Sequence, residues 1–118
     1  MGGNKVSAEA YRTPEGFLNY KYYRLRGRTK GDSNRPYLYL GLPICEKDEF
    51  VKWGLESDEF HRLFNAWIRS GYKRNFAPSP NRKDSNPELG YTISNLEWVP
   101  FSLNCQLGNI SSKRKGIA

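Results

Sequence analysis

The 118-residue sequence has little sulfur and little imidazole: two cysteines, Cys45 and Cys105, and one histidine, His61. A structural zinc site needs about four soft ligands, normally in closely spaced pairs, so a zinc knuckle is excluded. A disulfide between the two cysteines is disfavoured in an intracellular protein, and two buried or half-buried thiols are the preferred interpretation. His61 stands on an acidic helical segment, which favours a surface residue over a catalytic one.

Long apolar runs are also missing. No segment approaches the roughly 20 apolar residues of a membrane span, and the N-terminus lacks a charged-then-apolar signal pattern. These absences predict a cytoplasmic protein without a membrane partner.

Acidic residues are outnumbered, with 19 Lys and Arg against 12 Asp and Glu and a net charge of +7. Residues 1–40 carry eight basic and three acidic residues, and residues 71–118 carry seven and three. Residues 41–70 reverse the balance, with four basic and six acidic. Two basic blocks around an acidic middle favour a polyanionic partner, and a solvated basic surface stays open as the simpler alternative.

Capping residues and apolar spacing predict helices within the first 75 residues. After a loose arm at residues 1–12, Thr13, Pro14 and Glu15 form a helix start, and Gly27 is expected to end that helix. Phe17, Leu18, Tyr22 and Leu25 can line the apolar face of this helix. Lys21, Arg24 and Arg28 are spaced three and four apart, so any helical continuation lines them along one basic face. This face suits contact with phosphates, and a merely solvated face is the alternative.

The segments that follow have weaker local signals. Residues 28–36 predict a mobile loop, and residues 37–45 an irregular strand or a buried loop. A short helix over residues 46–54 is expected to stop at Gly54. The next helix has the clearest period, with a core stripe of Phe60, Leu63, Phe64, Trp67 and Ile68 and an end at Gly71.

The last third predicts a hairpin followed by a helix. Residues 76–84 form the first strand, residues 85–90 the loop and residues 91–99 the returning strand. A helix then begins at Pro100-Phe101 and carries Leu103, Asn104 and Leu107. Such a unit can point a strand end and a helix at one place, where a metal-dependent nuclease can be built.

The run APSPNRKD…GYTISNLEWV…N resembles the His-Asn-His (HNH, ββα-metal) endonucleases, in particular short phage-type members without zinc knuckles. The upstream runs LGLPICEKDEFVKW and FHRLFNAWIRSGY are also similar to segments that precede the motif in that family. The resemblance covers about Gly16 to Gly108. It implies an α+β fold, with a helical N-terminal part followed by a ββα-metal hairpin-helix unit.

The resemblance also implies roles for individual residues. Asn81 stands at the first-strand Asp, a metal ligand, and Asn104 at the second metal ligand. Arg82 stands where many members have the general-base His and others have Arg. Asn95 matches the Asn that tethers the loop through backbone hydrogen bonds, and Asp84 matches the second Asp of the first strand. Trp98 is expected to pack under the following helix.

Position 81 departs from the family pattern. Mg²⁺ or Mn²⁺, the implied cofactor, prefers hard oxygen ligands, and the Asn81 amide oxygen offers no full charge. Arg82 cannot accept a proton, so it is interpreted as a phosphate clamp. On a regular strand, Asp84 projects with Arg82, away from Asn81. Asp84, Glu88 and a hydroxide carried by the cation all stay open as the base.

These observations predict a single domain over residues 1–118. It consists of the arm, a helical part at residues 13–75, the HNH-like motif at residues 76–109 and a flexible basic tail at residues 110–118. The predicted function is a metal-dependent endonuclease acting on double-stranded DNA in the cytoplasm, that of a host bacterium if the protein is phage-encoded. The predicted DNA-binding residues are Lys21, Arg24, Arg28, Lys73, Arg74, Lys83, Lys113, Arg114 and Lys115.

Two other functions stay open. A catalytically silent HNH-like module could bind DNA or a host protein and act by occupancy. RNA binding through Tyr20, Tyr22 and Tyr23 is disfavoured, because stacking on single strands needs exposed rings and these can equally lie in the core.

Overall fold

The computed structural model describes residues 8–31 and 39–106, and their fold is α+β as expected: helices with one two-stranded antiparallel sheet. The contacts divide the chain into two compact units. Among the described residues, the first combines 8–31 and 39–57 with 84–95, and the second combines 58–83 with 96–106. Within the described residues no helix is long and apolar enough to cross a bilayer.

The first unit begins with a short 3-10 helix, Ala8–Tyr11, where the sequence predicted a loose arm. The reason is aromatic packing, since the ring of Tyr11 stacks on that of Tyr20 with centroids 4.5 Å apart. Helix α1, Pro14–Thr29, then starts as predicted, with the Thr13 side chain accepting a hydrogen bond from the backbone N–H of Gly16. The residues expected on its apolar face are all buried: Phe17, Leu18, Tyr22 and Leu25.

Two glycines were wrongly predicted to end helices. Helix α1 continues past Gly27 to Thr29, and helix α2, Lys47–Glu56, continues past Gly54. Gly54 is buried, and a Cβ atom added there would lie 2.3 Å from Cδ2 of Leu18. Gly54 therefore permits close packing of α2 against α1 and does not act as a helix stop.

The segment that precedes α2 pairs with residues 84–95. The backbone N–H of Tyr91 donates to the carbonyl of Pro43 at 2.8 Å, and that of Cys45 donates to the carbonyl of Tyr91 at 3.2 Å. Tyr91 thus forms an isolated parallel bridge with Ile44, and Ile93–Asn95 form a 3-10 turn. The prediction that a strand begins at Tyr91 was wrong, because this backbone is engaged by the 43–45 segment.

The second unit packs helix α3, Asp58–Arg69, on the hairpin strands β1, Pro78–Arg82, and β2, Leu96–Pro100. Four residues of the predicted stripe are buried, whereas Ile68 is 40% exposed and lies outside the core. Phe60 is fully buried and its ring lies 4.9 Å from that of Trp98 in β2. Gly71 follows α3 with φ +80°, as its predicted role at the helix end requires.

Gly90 provides a test of the loop geometry of the first unit. It has φ +48°, and a Cβ atom added there would lie 2.6 Å from the carbonyl oxygen of Pro43, a backbone atom that cannot rotate away. Gly71 is the matched control, since it also has positive φ but no atom lies within 4 Å of the added Cβ.

We expect Gly71→Ala to lower the free energy of unfolding by about 1 kcal/mol, the cost of a left-handed Ala. We expect Gly90→Ala to lower it by about 3 kcal/mol or more, because the clash with Pro43 adds to the same strain. Urea denaturation measures both. Equal losses would contradict the close approach of Gly90 to Pro43.

Candidate active site

The hairpin of the second unit presents one polar face. Strands β1 and β2 pair antiparallel with Ser79 opposite Val99 and Asn81 opposite Glu97. Side chains alternate along a strand, so Ser79 and Asn81 share a face with Glu97. The other face carries Trp98, which packs on Phe60 of α3. Trp98 was expected under the C-terminal helix, and the register instead turns it towards α3.

The C-terminal helix α4 begins at residue 101, and its described part is 101–106. It starts directly after β2, where the backbone N–H of Phe101 donates to the carbonyl of Ala77 at 2.9 Å. One turn into the helix, Nδ2 of Asn104 donates to Oγ of Ser79 at 2.6 Å. Asn104 therefore contacts a residue of the sheet face that also holds Asn81.

Asn81 contacts a residue that the sequence analysis did not select. Its Nδ2 donates to Oε2 of Glu97 at 2.9 Å, and both residues are half-buried. Glu97 therefore brings a carboxylate beside the amide. The signal that could have found it is the cross-strand register, which was not available because the second strand was predicted to start five residues too early.

Asn95 lies in the first unit and is buried, with 4% of its surface exposed. Its Oδ1 accepts from the backbone N–H of Asp84 at 3.0 Å, and its Nδ2 donates to the carbonyls of Asp84 at 3.0 Å and Gly90 at 2.8 Å. One amide thus closes the loop between the strands through backbone hydrogen bonds, which is the contact expected of this position.

Asp84 lies beyond the end of β1, so the strand alternation used to orient it does not apply. Its Oδ1 accepts from the backbone N–H of Asn86 at 2.8 Å, an Asx turn that starts the loop. Glu88 is exposed in that loop, as expected. Arg82 is the last residue of β1, and the alternation puts it on the face opposite Asn81.

The predicted phosphate-binding residues fall in both units. In the first unit, Tyr23, Arg24, Gly27 and Arg28 line a shallow cavity of about 150 Å³ on α1. Nζ of Lys47 donates to the Tyr23 hydroxyl at 3.2 Å beside it. Lys21 lies over the ring of Phe17, 5.4 Å from the centroid, and is half-buried.

In the second unit, Lys73, Arg74 and Lys83 are exposed. The guanidinium of Arg74 lies over the ring of Phe101, 4.7 Å from the centroid, at the start of α4. The predicted contacts Lys113, Arg114 and Lys115, and the helix residue Leu107, lie outside the described residues.

The polar face offers a cation one carboxylate, from Glu97, and the amide oxygens of Asn81 and Asn104. All are hard oxygen donors, and this set fits Mg²⁺ or Mn²⁺ in atom type. It carries one negative charge, and no group of three or more His, Cys, Asp or Glu that could hold a metal occurs within residues 8–31 and 39–106. Binding is therefore expected to need the charge of a bound phosphate as well.

The two cysteines and the histidine are not among the residues of this polar face. Both cysteines are free thiols, as preferred from the sequence. Cys45 is half-buried as expected, whereas Cys105 is exposed, so the expected burial was wrong for Cys105. Burial, with a contribution from the negative charge of Glu49, raises the pKa of the Cys45 thiol to about 11, so this thiol is not a nucleophile at neutral pH. His61 lies on α3 with its ring against Phe60, centroids 5.3 Å apart.

Comparison of the chain with family models, with curated proteins and with solved structures found no match.

The closure of the loop by Asn95 can be tested by replacing its side-chain NH₂ group with an oxygen atom. Asn95→Asp keeps the acceptor used by the Asp84 N–H but removes both donors, leaving two carbonyls facing a carboxyl group. Asn86→Asp is the control, because Asn86 uses only its acceptor, towards the backbone N–H of Glu88 at 3.0 Å.

We expect Asn95→Asp to reduce the free energy of unfolding by at least about 2 kcal/mol at neutral pH, since buried unsatisfied carbonyls are costly. Asn86→Asp should change it by less than about 0.5 kcal/mol. Chemical denaturation compares the two, and similar losses would show that the donors of Asn95 do not hold the loop.

Proposed function

We propose that this protein is an HNH-type, metal-dependent endonuclease that hydrolyses phosphodiester bonds of double-stranded DNA. The observation that carries the proposal is the hydrogen bond between Asn104 on α4 and Ser79 on β1. It brings the helix-borne Asn to the sheet face that holds Asn81. The loop closure by Asn95 supports the same assignment, because it is the contact that the motif implies for that residue.

Hydrolysis adds water to phosphorus, breaks one phosphorus–oxygen bond of the backbone and transfers a proton from the water to the leaving oxygen. A divalent cation, when bound, supplies electrostatic stabilisation of the charge that develops on the phosphate oxygens. Glu97, Asn81 and Asn104 are the residues that would hold it. The exposed Lys83 directly follows β1 and can bind a neighbouring backbone phosphate, and Arg82 can bind one on the strand face opposite Asn81.

Substrate binding is assigned to the basic residues of each unit. The Arg24 and Arg28 side chains and the Tyr23 hydroxyl around the α1 cavity are donors for phosphate oxygens. Such contacts bind the duplex without reading sequence. The proposal includes a cytoplasmic location, in the host bacterium if the protein is phage-encoded.

Cleavage is tested on supercoiled plasmid with Mg²⁺ or Mn²⁺, with chelator as the negative control. We expect slow metal-dependent nicking, and we expect Asn104→Ala to lower its rate by about a hundredfold or more while plasmid binding is retained. Asn65→Ala, an exposed Asn on α3, is the matched control and should cleave at the unchanged rate. Cleavage that survives Asn104→Ala would remove this site from the reaction.

Binding is tested by the salt dependence of the affinity for a plain duplex. We expect the logarithm of the affinity to fall steeply with the logarithm of salt concentration. Arg24→Gln should reduce that slope by about 1, since one phosphate contact is lost. Arg62→Gln removes the same charge from a guanidinium paired with Glu59 and should leave the slope unchanged. A salt-independent affinity would exclude phosphate contacts as its source.

A catalytically silent module that binds DNA or a host protein is the second candidate. One observation favours it: the Asn81 amide donates to Glu97, so the first-strand position holds a neutral donor where the motif has a carboxylate. Retention of supercoiled plasmid under both metals, by protein that still shifts the DNA, would support this candidate over the nuclease.

A further inference from the structure

We infer that Glu97 is a cation ligand of the hairpin site and carries there the negative charge that position 81 lacks. The inference rests on the proposed function and deepens it, because it names the residue on which cation binding depends. Glu97 lies on β2, directly across from position 81 on β1, where the motif has its Asp. Both side chains lie on the same polar face.

The register makes this placement a property of the fold. Asn81 and Glu97 are direct cross-strand partners, and direct partners have Cβ atoms only about 4.5–5.5 Å apart. Their side chains meet, with Nδ2 of Asn81 2.9 Å from Oε2 of Glu97. A carboxylate at either position would therefore offer its charge to the same small region.

Electrostatics explains why the two positions should not both be acidic. Two carboxylates at this separation repel each other, and a cation or a proton is needed to offset the repulsion. With Asn at 81, the amide N–H donates to the Glu97 carboxylate and the pair is stable without an ion. The asparagine at position 81 is thus the partner that a glutamate at 97 requires.

The rest of the polar face supplies neutral oxygen donors. Asn104 uses its Nδ2 towards Ser79, so its Oδ1 is turned away from that hydrogen bond. The Asn81 amide can present its own oxygen when a cation replaces its hydrogen bond to Glu97. One carboxylate with two amide oxygens gives a partial coordination shell that phosphate and water would complete.

Mn²⁺ binding tests the inference without any cleavage assay. Free Mn²⁺ is measured by electron paramagnetic resonance during titration of four proteins: wild type, Glu97→Gln, Glu88→Gln and the double variant Asn81→Asp with Glu97→Gln. Glu88→Gln is the matched control, since it removes an equal charge from the exposed loop. The double variant moves the carboxylate back across the strand pair at constant net charge.

We expect Glu97→Gln to weaken Mn²⁺ binding by on the order of tenfold or more. Glu88→Gln should leave it within about twofold of wild type, because an exposed loop charge is largely screened. The double variant should recover most of the affinity. Equal Mn²⁺ affinity of the Glu97 and Glu88 variants would overturn the inference, and so would a double variant that binds no better than Glu97→Gln.

Wild-type protein provides a measurement that needs no variant to fold. In a two-dimensional amide NMR spectrum, substoichiometric Mn²⁺ should broaden the backbone signals of residues 81 and 97 and the side-chain amide of Asn104 first. Preferential broadening elsewhere would also refute the assignment.

The two proposals can fail separately. Metal-dependent nicking that is unchanged in Glu97→Gln would leave the nuclease standing and reject the role of Glu97. Glu97-dependent Mn²⁺ binding without nicking would leave the cation site standing and reject the nuclease.

Discussion

The pairing of β1 with β2 is the constraint on which the candidate site depends. Antiparallel register places Asn81 against Glu97 and turns Ser79 to the same face, and helix α4 starts directly after β2, so Asn104 meets Ser79. A shift of β2 by one residue would move Glu97 to the other face, away from Asn81, and the Trp98 ring to this one. The contact between Trp98 and the fully buried Phe60 opposes such a shift, because the Trp98 ring would lose its buried position against α3.

A second constraint acts on the loop between the strands. Asn95 satisfies three backbone groups at once, and the 43–45 segment takes the backbone of Tyr91. Together they make residues 84–95 part of the first unit, although both neighbouring strands belong to the second. A buried amide that makes all these bonds is costly to replace, because each lost partner leaves a backbone polar group unsatisfied.

The candidate site shows how charge can be conserved while residues differ. From the motif resemblance alone, position 81 lacks the negative charge of a metal ligand, since an amide stands where the motif has a carboxylate. The tertiary structure places a carboxylate 2.9 Å from that amide, from a strand position that the motif does not single out. Under the proposed function, loss of the Asp therefore does not by itself imply loss of cation binding. The relevant quantity is the charge of the whole face, and this face holds one carboxylate and neutral oxygen donors.

Local chemistry in the sequence determined much of this protein. Capping and apolar period act between near neighbours in the chain. They account for the start of α1 at Thr13-Pro14-Glu15, the buried faces of α1 and α3, the end of α3 at Gly71 and the α+β class. The errors at Gly54 and Tyr91 share one cause: the role of each residue was set by a distant partner, Leu18 for Gly54 and Pro43 for Tyr91. The meeting of Glu97 with Asn81 is of the same kind. Only the tertiary structure decided it, because strand register is chosen by contacts between residues that are far apart in the chain and has no local signature.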